Sequence, residues 1–532
     1  MVFRGARRLF TVVAAVALAA GLTSCGPLAG PPVADTAEWA GVAASDYQFS
    51  TGFGSVQGAN QWSYQEWTGS VYKPMFWDAA ASSWRGSSPN CVIAKDWMRP
   101  DASDAVIVWT APRAGAVTVR GMMDHSPTGP SDGVRTMIRK GNGDNMRRIW
   151  PADTEYQVLR PGFTAQHILT TEVAAGDNLY FHVNKGSTAQ DDTTWWDPRI
   201  TYDDPPAFTL DQAELVMGPD DFSRVGVLVA QDASLATVSK GDTVDFYHSS
   251  ADDIQKFSGT LLEPGKTAVY SGHRFLNPHN LPGKWWIPNI YRTPNGALLA
   301  FAHIEDADPV STGWWAIGLA YSTDDGNTFT KLGIIVTHHT HDDGHHVNIG
   351  GVPFVVKDGY FYIYFDEQRE HVARAPVAQV LAAAAKGTVS NWHKYYNGGW
   401  KEPGRDGRAS PILPAIPGIA WLTHGDAAYS TYTGKYLLTA YNQAQGKGIY
   451  LAMSNDAVHF DDPQWIQRNR TDKDTLSPYE TIINVDGTDN GVVGQVFYVY
   501  FSYRPVSSIG QSGYAENFRW LYRQKVTLNR LG

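Results

Sequence analysis

Thiols are nearly absent from this sequence, which contains two cysteines, Cys25 and Cys91, in 532 residues. Cys25 lies at the end of the export signal described below, so Cys91 is the unmodified thiol expected in the mature chain. A disulfide framework is therefore excluded, and the fold must be stabilised by its apolar cores.

A surplus of basic residues is also missing. Lys and Arg number 43 against 53 Asp and Glu, which gives a formal net charge of −10. Because no basic patch is apparent, the chain lacks the electrostatic footprint of a polyanion-binding protein. We therefore expect no nucleic-acid partner.

Long helical periodicity is scarce, whereas turn-forming and aromatic residues are abundant. The sequence has 51 Gly, 30 Pro and 19 Trp, and aromatic residues make up 12% of it. This composition favours an all-β protein with many turns. A chain of this length is expected to form two or more domains.

The N-terminus has the pattern of an export signal. Arg4, Arg7 and Arg8 precede the apolar run LFTVVAAVALAAGL, which is too short to span a membrane comfortably. The run ends in LTSC at 22–25, which resembles the lipobox of bacterial lipoproteins with Cys25 as the lipidated residue. We predict a signal peptide over 1–25, a Pro/Ala/Gly tether over 26–45, and an extracytoplasmic protein anchored to the membrane through Cys25.

Two folded domains are predicted after the tether. In 46–203, strand-like runs such as AVIVWTA and NLYFHVN alternate with turns at the spacing of a β-sandwich. The segments WSY at 62–64 and DTTWWDP at 192–198 resemble the β-sandwich modules of secreted polysaccharide-degrading enzymes, which implies sugar binding by aromatic faces. Its candidate sugar-binding tryptophans, each with core packing as the alternative, are Trp62, Trp67, Trp77 and Trp84. The second domain is predicted over 204–532.

The stretch from 284 to 329 reads as one complete blade of a β-propeller. Two β-prone runs, WIPNIYRT and ALLAFAHI, are joined by a Pro-Asn-Gly turn, and a third run leads into STDDGNTF at 322–329. The order of these segments resembles the sialidase and BNR-repeat propellers, in which the last octet is the Asp box. In those sialidases an Arg precedes Ile-Pro and holds the substrate carboxylate, whereas here Trp286 does. A neutral sugar is therefore expected.

Three further units repeat the pattern of strand, Gly turn, aromatic strand and third strand. They begin near 349, 425 and 480, and an irregular stretch over 204–270 is interpreted as an incomplete first unit. The predicted fold is thus an N-terminal β-sandwich followed by a five-bladed β-propeller, and we expect a monomer.

Propeller geometry selects candidate site residues. Segments before each inner strand and segments between second and third strands reach the same face, so their side chains should converge there. The carboxylates selected before inner strands are Asp343, Asp426 and Glu480. The predicted substrate-binding residues are Trp285, Trp286, His303, Glu305, His345, Asp366 and Glu367.

Glycosidic cleavage needs a carboxylic acid and a carboxylate on opposite sides of the bond. The order of the three candidate carboxylates resembles that of the five-bladed family 43 and family 62 arabinofuranosidases and xylosidases. This resemblance implies Asp343 as base, Asp426 as the residue that tunes a pKa, and Glu480 as acid. It also implies an inverting glycoside hydrolase acting on a neutral, arabinofuranoside-containing polysaccharide such as an arabinan.

Five of the 16 histidines lie in the segment His338–His346, together with Asp342 and Asp343. Imidazole and carboxylate ligands suit several divalent metals, but the spacing lacks a zinc signature. A sugar-binding loop is the preferred interpretation, a divalent metal the alternative, and the predicted hydrolysis requires no cofactor. The alternatives for the whole protein are a non-catalytic carbohydrate-binding surface lipoprotein, a sialidase-like enzyme, or a polysaccharide lyase.

Overall fold

The structure is a computed structural model of the 532-residue chain. It describes residues 45–142, 145–202, 205–227, 232–307, 314–340, 349–367, 369–416, 419–422, 424–442, 448–469, 476, 478–487, 490–504 and 519–530. The predicted signal peptide, with Cys25, and most of the predicted tether lie outside these residues. Within them, no helix combines the length and apolar character needed to cross a membrane.

The N-terminal part consists of short and long strands in two sheets. The strands are β1 (Asp46–Gln48), β2 (Trp62–Trp67), β3 (Tyr72–Pro74), β4 (Phe76–Asp78), β5 (Ser83–Arg85), β6 (Val92–Ile93), β7 (Trp97–Arg99), β8 (Asp104–Thr110), β9 (Gly115–His125), β10 (Val134–Gly141), β11 (Arg147–Trp150), β12 (Gln157–Leu159), β13 (Phe163–Val173), β14 (Asn178–Lys185), β15 (Thr194–Trp196) and β16 (Arg199–Thr201). A single helical turn, α1 (Phe49–Gly52), and a 3₁₀ turn, Ala59–Gln61, precede β2.

The two N-terminal sheets share one aromatic core. One sheet has the order β11-β10-β14-β8-β2-β3, and β9, β13 and β15 belong to the other. Phe181 of the first sheet meets Trp196 of the second edge to face, with ring centroids 5.5 Å apart. Trp62 and Trp84 are buried here, which corrects their candidacy as sugar-binding residues because neither indole reaches solvent.

The rest of the chain forms successive antiparallel strand sets. It opens with β17 (Phe208–Met217) and α2 (Pro219–Arg224). Set I comprises β18 (Ala236–Lys240), β19 (Thr243–Ser250) and β20 (Asp253–Gly259), followed by β21 (Ala268–Val269) and β22 (Arg274–Leu276). Set II comprises β23 (Lys284–Arg292), β24 (Leu298–Glu305), β25 (Ala316–Ser322) and β26 (Thr328–Val336). The stretch interpreted from sequence as irregular thus contains a regular antiparallel set.

Three more sets complete the chain. Set III comprises β27 (Phe354–Lys357), β28 (Tyr360–Asp366), β29 (Glu370–Pro376), α3 (Val377–Ala384), β30 (His393–Tyr396) and β31 (Gly399–Pro403). Set IV comprises β32 (Trp421–Leu422), β33 (Ala427–Ser430), β34 (Tyr436–Asn442), β35 (Gly448–Ser454) and β36 (Phe460–Arg468). Set V comprises β37 (Thr481–Asn484), β39 (Val496–Tyr503) and β40 (Trp520–Leu528), whereas β38 (Val492–Val493), between β37 and β39 along the chain, pairs in parallel with β33 of set IV.

The outer strand of set V comes from the other end of this region. Strand β40 pairs antiparallel with β17, and the sheet order is β37-β39-β40-β17. The last described strand is thereby bonded to a strand that precedes set I. Strand β17 also contacts β13 through the pair Leu210 and Ile168, which links set V to the N-terminal sheet.

The five sets contact one another in a closed ring. The contacts that join successive sets are Val238 with Ile287 in one core, Phe301 with Phe354 at 4.8 Å between centroids, Tyr364 with Phe460 at 5.4 Å, Asp426 Oδ2 with Ile482 N at 2.9 Å, and Thr481 Oγ1 with Leu235 N at 3.0 Å. Because the last contact returns to set I, the strands β18, β23, β27, β33 and β37 surround a common centre.

The predicted Asp box forms the turn between β25 and β26. Asp324 Oδ1 accepts from Ser322 Oγ at 2.8 Å and from Thr328 N at 2.9 Å. Set IV repeats this turn one residue shorter: Asp456 Oδ1 accepts from Val458 N and His459 N at 2.9 and 2.8 Å. The side chains of both aspartates are thus used within their turns.

Candidate active site

One cavity receives residues from every strand set. It is lined by residues that directly precede or begin inner strands: Asp232, Ala233 and Ser234 before β18, Trp286 and Pro288 in β23, Gly351 before β27, His424 before β33, and Tyr479 before β37. His303 and Glu305 at the end of β24, and Trp315 before β25, complete the described lining. Propeller geometry predicts that these two kinds of segment converge on one face.

Two carboxylates line this cavity among the described residues, Asp232 and Glu305. Asp232 is half-buried, and its Oδ2 accepts from Trp286 Nε1 at 2.9 Å and from Ser250 Oγ at 3.1 Å. Two donors on one oxygen hold the carboxylate in a fixed orientation. Glu305 Oε1 lies 3.5 Å from His303 Nε2, and a third of its side chain, 34%, is exposed.

Aromatic and imidazole rings surround the carboxylates. His303 contacts Trp286, Trp315 and His424, with ring centroids 5.6, 5.0 and 5.6 Å away. His424 in turn lies 6.3 Å from Tyr479. Burial lowers the pKa of His303, with the neighbouring His424 acting in the same direction, so His303 is neutral at neutral pH. The rings provide flat apolar faces beside two acidic groups.

His424 is held from beneath by Asp366 and Gly350. Asp366 Oδ2 lies 3.3 Å from His424 Nε2. Gly350 approaches so closely that a Cβ there would lie 1.8 Å from His424 Nε2. Asp366 is buried beside His424 and does not line the cavity among the described residues, so its predicted contact with substrate stays a prediction. Next to it, burial raises the pKa of Glu370 to about 8, and the Asp366 charge contributes to the rise.

Asp426 and Glu480 do not line this cavity. Asp426 Oδ1 accepts from Ala427 N at 2.8 Å, and Oδ2 is bonded to Ile482 N. Glu480 is fully buried beneath Gly425, where a Cβ would lie 2.3 Å from Glu480 Oε2. Burial raises the pKa of Asp426 to about 7 and that of Glu480 to about 8. Their predicted catalytic roles stay predictions: both side chains are buried, and neither lines this cavity among the described residues.

The described part of the histidine segment forms a closed ionic cluster. Glu367 contacts His338, His339 and Lys394, and its Oε2 accepts from Lys394 Nζ at 3.0 Å. Burial alone would raise the pKa of Glu367, but Lys394 and His339 outweigh it and lower the pKa. His338, His339 and Glu367 offer ligand atoms within 4.8 Å of one another. The metal alternative therefore stays a prediction, and Lys394 Nζ shares the Glu367 carboxylate with these two imidazoles.

The same cluster corrects the predicted substrate contact of Glu367, whose side chain is buried against Lys394. The predicted contact of Trp285 with substrate is not formed at the cavity either, because the Trp285 side chain is fully buried and donates from Nε1 to Pro282 O at 3.2 Å. Trp286, His303 and Glu305 do line the cavity. Asp342, Asp343, His345 and His346 lie outside the described residues.

Asp232 is the residue that sequence reasoning missed. The segment before β18 obeys the same rule as the other pre-strand segments, but set I was interpreted as irregular. The turn signal Lys240-Gly241-Asp242 between β18 and β19 could have identified the first inner strand and, four residues before it, Asp232.

Comparisons with known proteins give only distant structural likenesses. No family model matches the chain, and no curated protein matches it. The catalytic domain of a GH62 α-L-arabinofuranosidase from Coprinopsis cinerea is 9% identical, with 59% of this chain and 95% of that chain covered and a TM-score of 0.35. An α-L-arabinanase from Cellvibrio cellulosa is 10% identical over 55% and 91%, with a TM-score of 0.34. A protein of unknown function from Dyadobacter fermentans is 12% identical over 77% and 99%, with a TM-score of 0.32.

Proposed function

We propose that the protein is a glycoside hydrolase that cleaves a neutral polysaccharide at the cavity between the inner strands. The observation that carries the proposal is the presence of Asp232 and Glu305, from different strand sets, in one cavity lined by tryptophan, tyrosine and histidine rings. Aromatic faces bind the C–H surfaces of sugars, and a pair of carboxylates supplies the acid and the base that glycosidic cleavage needs.

The surroundings of the two carboxylates suggest their roles. Asp232 receives two donors on one oxygen, which hold the carboxylate in the fixed orientation that a base requires. A third of the Glu305 side chain is exposed, so Glu305 is the less constrained of the two carboxylates. It would protonate the glycosidic oxygen as the bond to the anomeric carbon breaks. Asp232 takes a proton from the attacking water, whose oxygen forms the new bond to that carbon. In an inverting reaction the two carboxyl groups are separated by about 6.5–9.5 Å to admit this water.

The substrate is proposed to be neutral and to contain arabinofuranosyl units, as in an arabinan. No Lys or Arg lines the described part of the cavity, so the site has no cationic side chain there to neutralise a uronate or a sialic acid. This charge distribution disfavours the lyase and sialidase alternatives. The choice of an arabinan as the substrate rests on the sequence resemblance to family 43 and family 62 enzymes.

The architecture and the location are part of the same proposal. The closed ring of five strand sets supports a five-bladed β-propeller over 204–532, and the two sheets with one core support a β-sandwich over 46–203. We propose that the mature chain is a monomeric envelope lipoprotein anchored through Cys25. Metabolic labelling with radioactive palmitate tests this anchor: label should enter the wild-type protein and be absent from Cys25→Ser.

The hydrolysis is tested by product release from arabinan, arabinoxylan and galactan. Asp232→Asn and Glu305→Gln should each lower kcat by about 100-fold or more, as expected for the loss of a general base or acid. The matched control is Asp358→Asn, an exposed aspartate in the β27–β28 turn at the opposite end of set III, which should leave kcat unchanged. Proton NMR of the first product should show the inverted anomer.

Each other outcome has a defined meaning. Wild-type binding without product release from any glycan would replace the hydrolase with a carbohydrate-binding protein. Product release that survives both substitutions would keep the hydrolase and remove the two assigned roles.

A further inference from the structure

A second cavity lies between the N-terminal sheet and set IV, apart from the candidate active site. Its volume is about 370 Å³, which is within the range of sites for small ligands. Strands β9 and β13 form its floor, the segment around β15 and β16 forms one wall, and β36 forms the other. Residues that matter for its chemistry are Gly121, Gln166, Trp195, Asp197, Trp465 and Arg468.

Two half-buried tryptophans, one on each wall, line this cleft. Trp195 comes from the N-terminal part, and Trp465 comes from β36. The Trp465 ring packs against Tyr450 with centroids 3.7 Å apart, so its orientation is fixed before any ligand arrives. Two tryptophan side chains in one cleft, of which Trp465 is fixed in orientation, suit a ligand with flat apolar surfaces, such as a sugar ring.

The floor of the cleft contains a closely packed glycine and an unsatisfied acceptor. A Cβ on Gly121 would lie 2.5 Å from His167 Nε2 and 2.9 Å from Trp196 Nε1, so the close packing beneath the floor requires glycine here. Gln166 is 9% exposed, and its Oε1 has no hydrogen-bond partner among the described residues. Its Nε2 is already bonded to Trp465 O at 3.4 Å. A buried amide oxygen without a donor is costly, and a ligand hydroxyl would satisfy it.

The charges that line the cleft have both signs. Asp197 accepts from Gln48 Nε2 and from Ser50, and Arg199 is paired with Asp46. Arg468 is exposed and donates from Nε to Met122 Sδ at 3.2 Å. The lining holds charges of both signs, with the arginines Arg120, Arg199 and Arg468 and the aspartates Asp96 and Asp197, and its planar polar groups beside aromatic rings suit a neutral ligand with many hydroxyls.

We propose that this cleft is a second carbohydrate-binding site, which holds a chain of neutral polysaccharide away from the cavity that cleaves it. The inference takes its ligand class from the proposed function. The cleft joins the N-terminal part to the ring, so it would place the polymer on the same compact unit as Asp232 and Glu305. Sugar binding by the N-terminal part is thereby assigned to Trp195, with Trp465 of set IV, in place of the buried Trp62 and Trp84.

Affinity electrophoresis in native gels that contain soluble arabinan, arabinoxylan or galactan tests the cleft. All proteins carry Asp232→Asn, so that the polymer is not cleaved during the run. Trp195→Ala should weaken polymer binding by about tenfold or more, as expected when an aromatic anchor is removed. Arg468→Ala, which changes an exposed side chain and leaves the core intact, should weaken binding in the same direction. Trp400→Ala removes a half-buried tryptophan of set III and serves as the matched control, with unchanged retardation.

The outcomes separate this inference from the hydrolase proposal, because product release is measured independently with the unsubstituted protein. Retardation that depends on Trp195 without product release from any glycan would support the cleft and overturn the hydrolase. Product release combined with retardation that ignores both Trp195 and Arg468 would overturn the cleft alone. If none of the three polymers retards the parent protein, the cleft does not bind neutral polysaccharide and the inference is wrong.

Discussion

At the scale of single residues, orientation on a strand decides which carboxylates are available for chemistry. Tyr479 lines the cavity, whereas the next residue, Glu480, is fully buried between sets IV and V. Successive side chains in extended backbone point in opposite directions, so a shift of one residue exchanges a cavity position for an interior one. The sequence predicts where inner strands begin, but it contains no comparable signal for which of two adjacent residues faces inward.

Glu480→Gln is therefore expected to alter stability and to spare catalysis. Burial raises the folded-state pKa of Glu480 to about 8 from its ordinary value of 4.5. Between these values the folded chain retains a proton that the unfolded chain has released, so this group makes the free energy of unfolding fall as pH rises from about 4.5 to 8. The substitution removes that dependence. The free energy of unfolding of the variant relative to wild type should rise with pH, by at most about 1.4 kcal/mol per unit.

Urea unfolding at pH 5, 6.5 and 8 measures the effect, with Glu263→Gln, an exposed residue, as the matched control. Glu370 titrates in the same way in both proteins and cancels in the difference. A loss of kcat by 100-fold with unchanged stability would contradict this prediction and restore Glu480 as a catalytic acid.

Gly350→Ala tests the position of His424 in the cavity. The added Cβ would collide with His424 Nε2, so the imidazole must move and its contacts with His303 and Tyr479 must change. We expect kcat/KM to fall by about tenfold or more, with a loss of stability of about 1–3 kcal/mol. Gly399→Ala, whose Cβ would have its nearest neighbour at 3.9 Å, should change neither quantity. Full activity of Gly350→Ala would show that His424 has no part in the reaction.

At the scale of elements, the sequence predicts sets II to V well because each contains a strong local signal. The octet at 322–329 and the turn Lys357-Asp358-Gly359 form where they are predicted, since Asp and Gly satisfy turn geometry through short-range contacts. The closed ring cannot be predicted from local sequence patterns. The pairing of β17 with β40 joins residues more than 300 positions apart, and no short segment specifies it.

The shorter Asp box in set IV provides a test of how such turns act. Burial opposes ionisation of Asp456, but hydrogen bonds from the His459 and Val458 amides and the His459 imidazole lower its pKa to about 2. The stability from this carboxylate is thus present above about pH 3.8 and is lost as pH falls toward 2. Asp456→Ala should destabilise the protein at pH 7 by about 1–3 kcal/mol, because several turn donors lose their acceptor.

The turn lies between third and outer strands, away from the cavity, so kcat of Asp456→Ala should equal that of wild type. Asp461→Ala, an exposed neighbour in β36, is the matched control for stability. A loss of activity in Asp456→Ala at full folding would contradict the assignment of the Asp-box turn to the face opposite the cavity.

At the scale of the whole molecule, the N-terminal part is packed into the ring and does not serve as a detachable spacer. Phe163 of β13 stacks on Tyr522 of β40 with ring centroids 4.3 Å apart and meets Tyr503 at 5.0 Å. Gln524 Nε2 of β40 also donates to Gln166 O at 2.8 Å. The second cavity depends on this junction, because its floor and one wall come from different sides of it.

Phe163→Ala should therefore destabilise the entire chain, although the residue lies in the N-terminal part. Removing a fully buried phenylalanine side chain costs about 3–5 kcal/mol, and here the loss falls on a core that both parts share. We expect calorimetry to show one unfolding transition in the wild type and a lower transition temperature for all of it in the variant. Phe76→Ala, which removes a phenylalanine of the same part that is 61% exposed, should leave the transition within about 1 °C. If calorimetry instead shows two separate transitions and Phe163→Ala shifts only one of them, the N-terminal part and the ring fold independently. The shared cleft would then be a contact between two mobile domains.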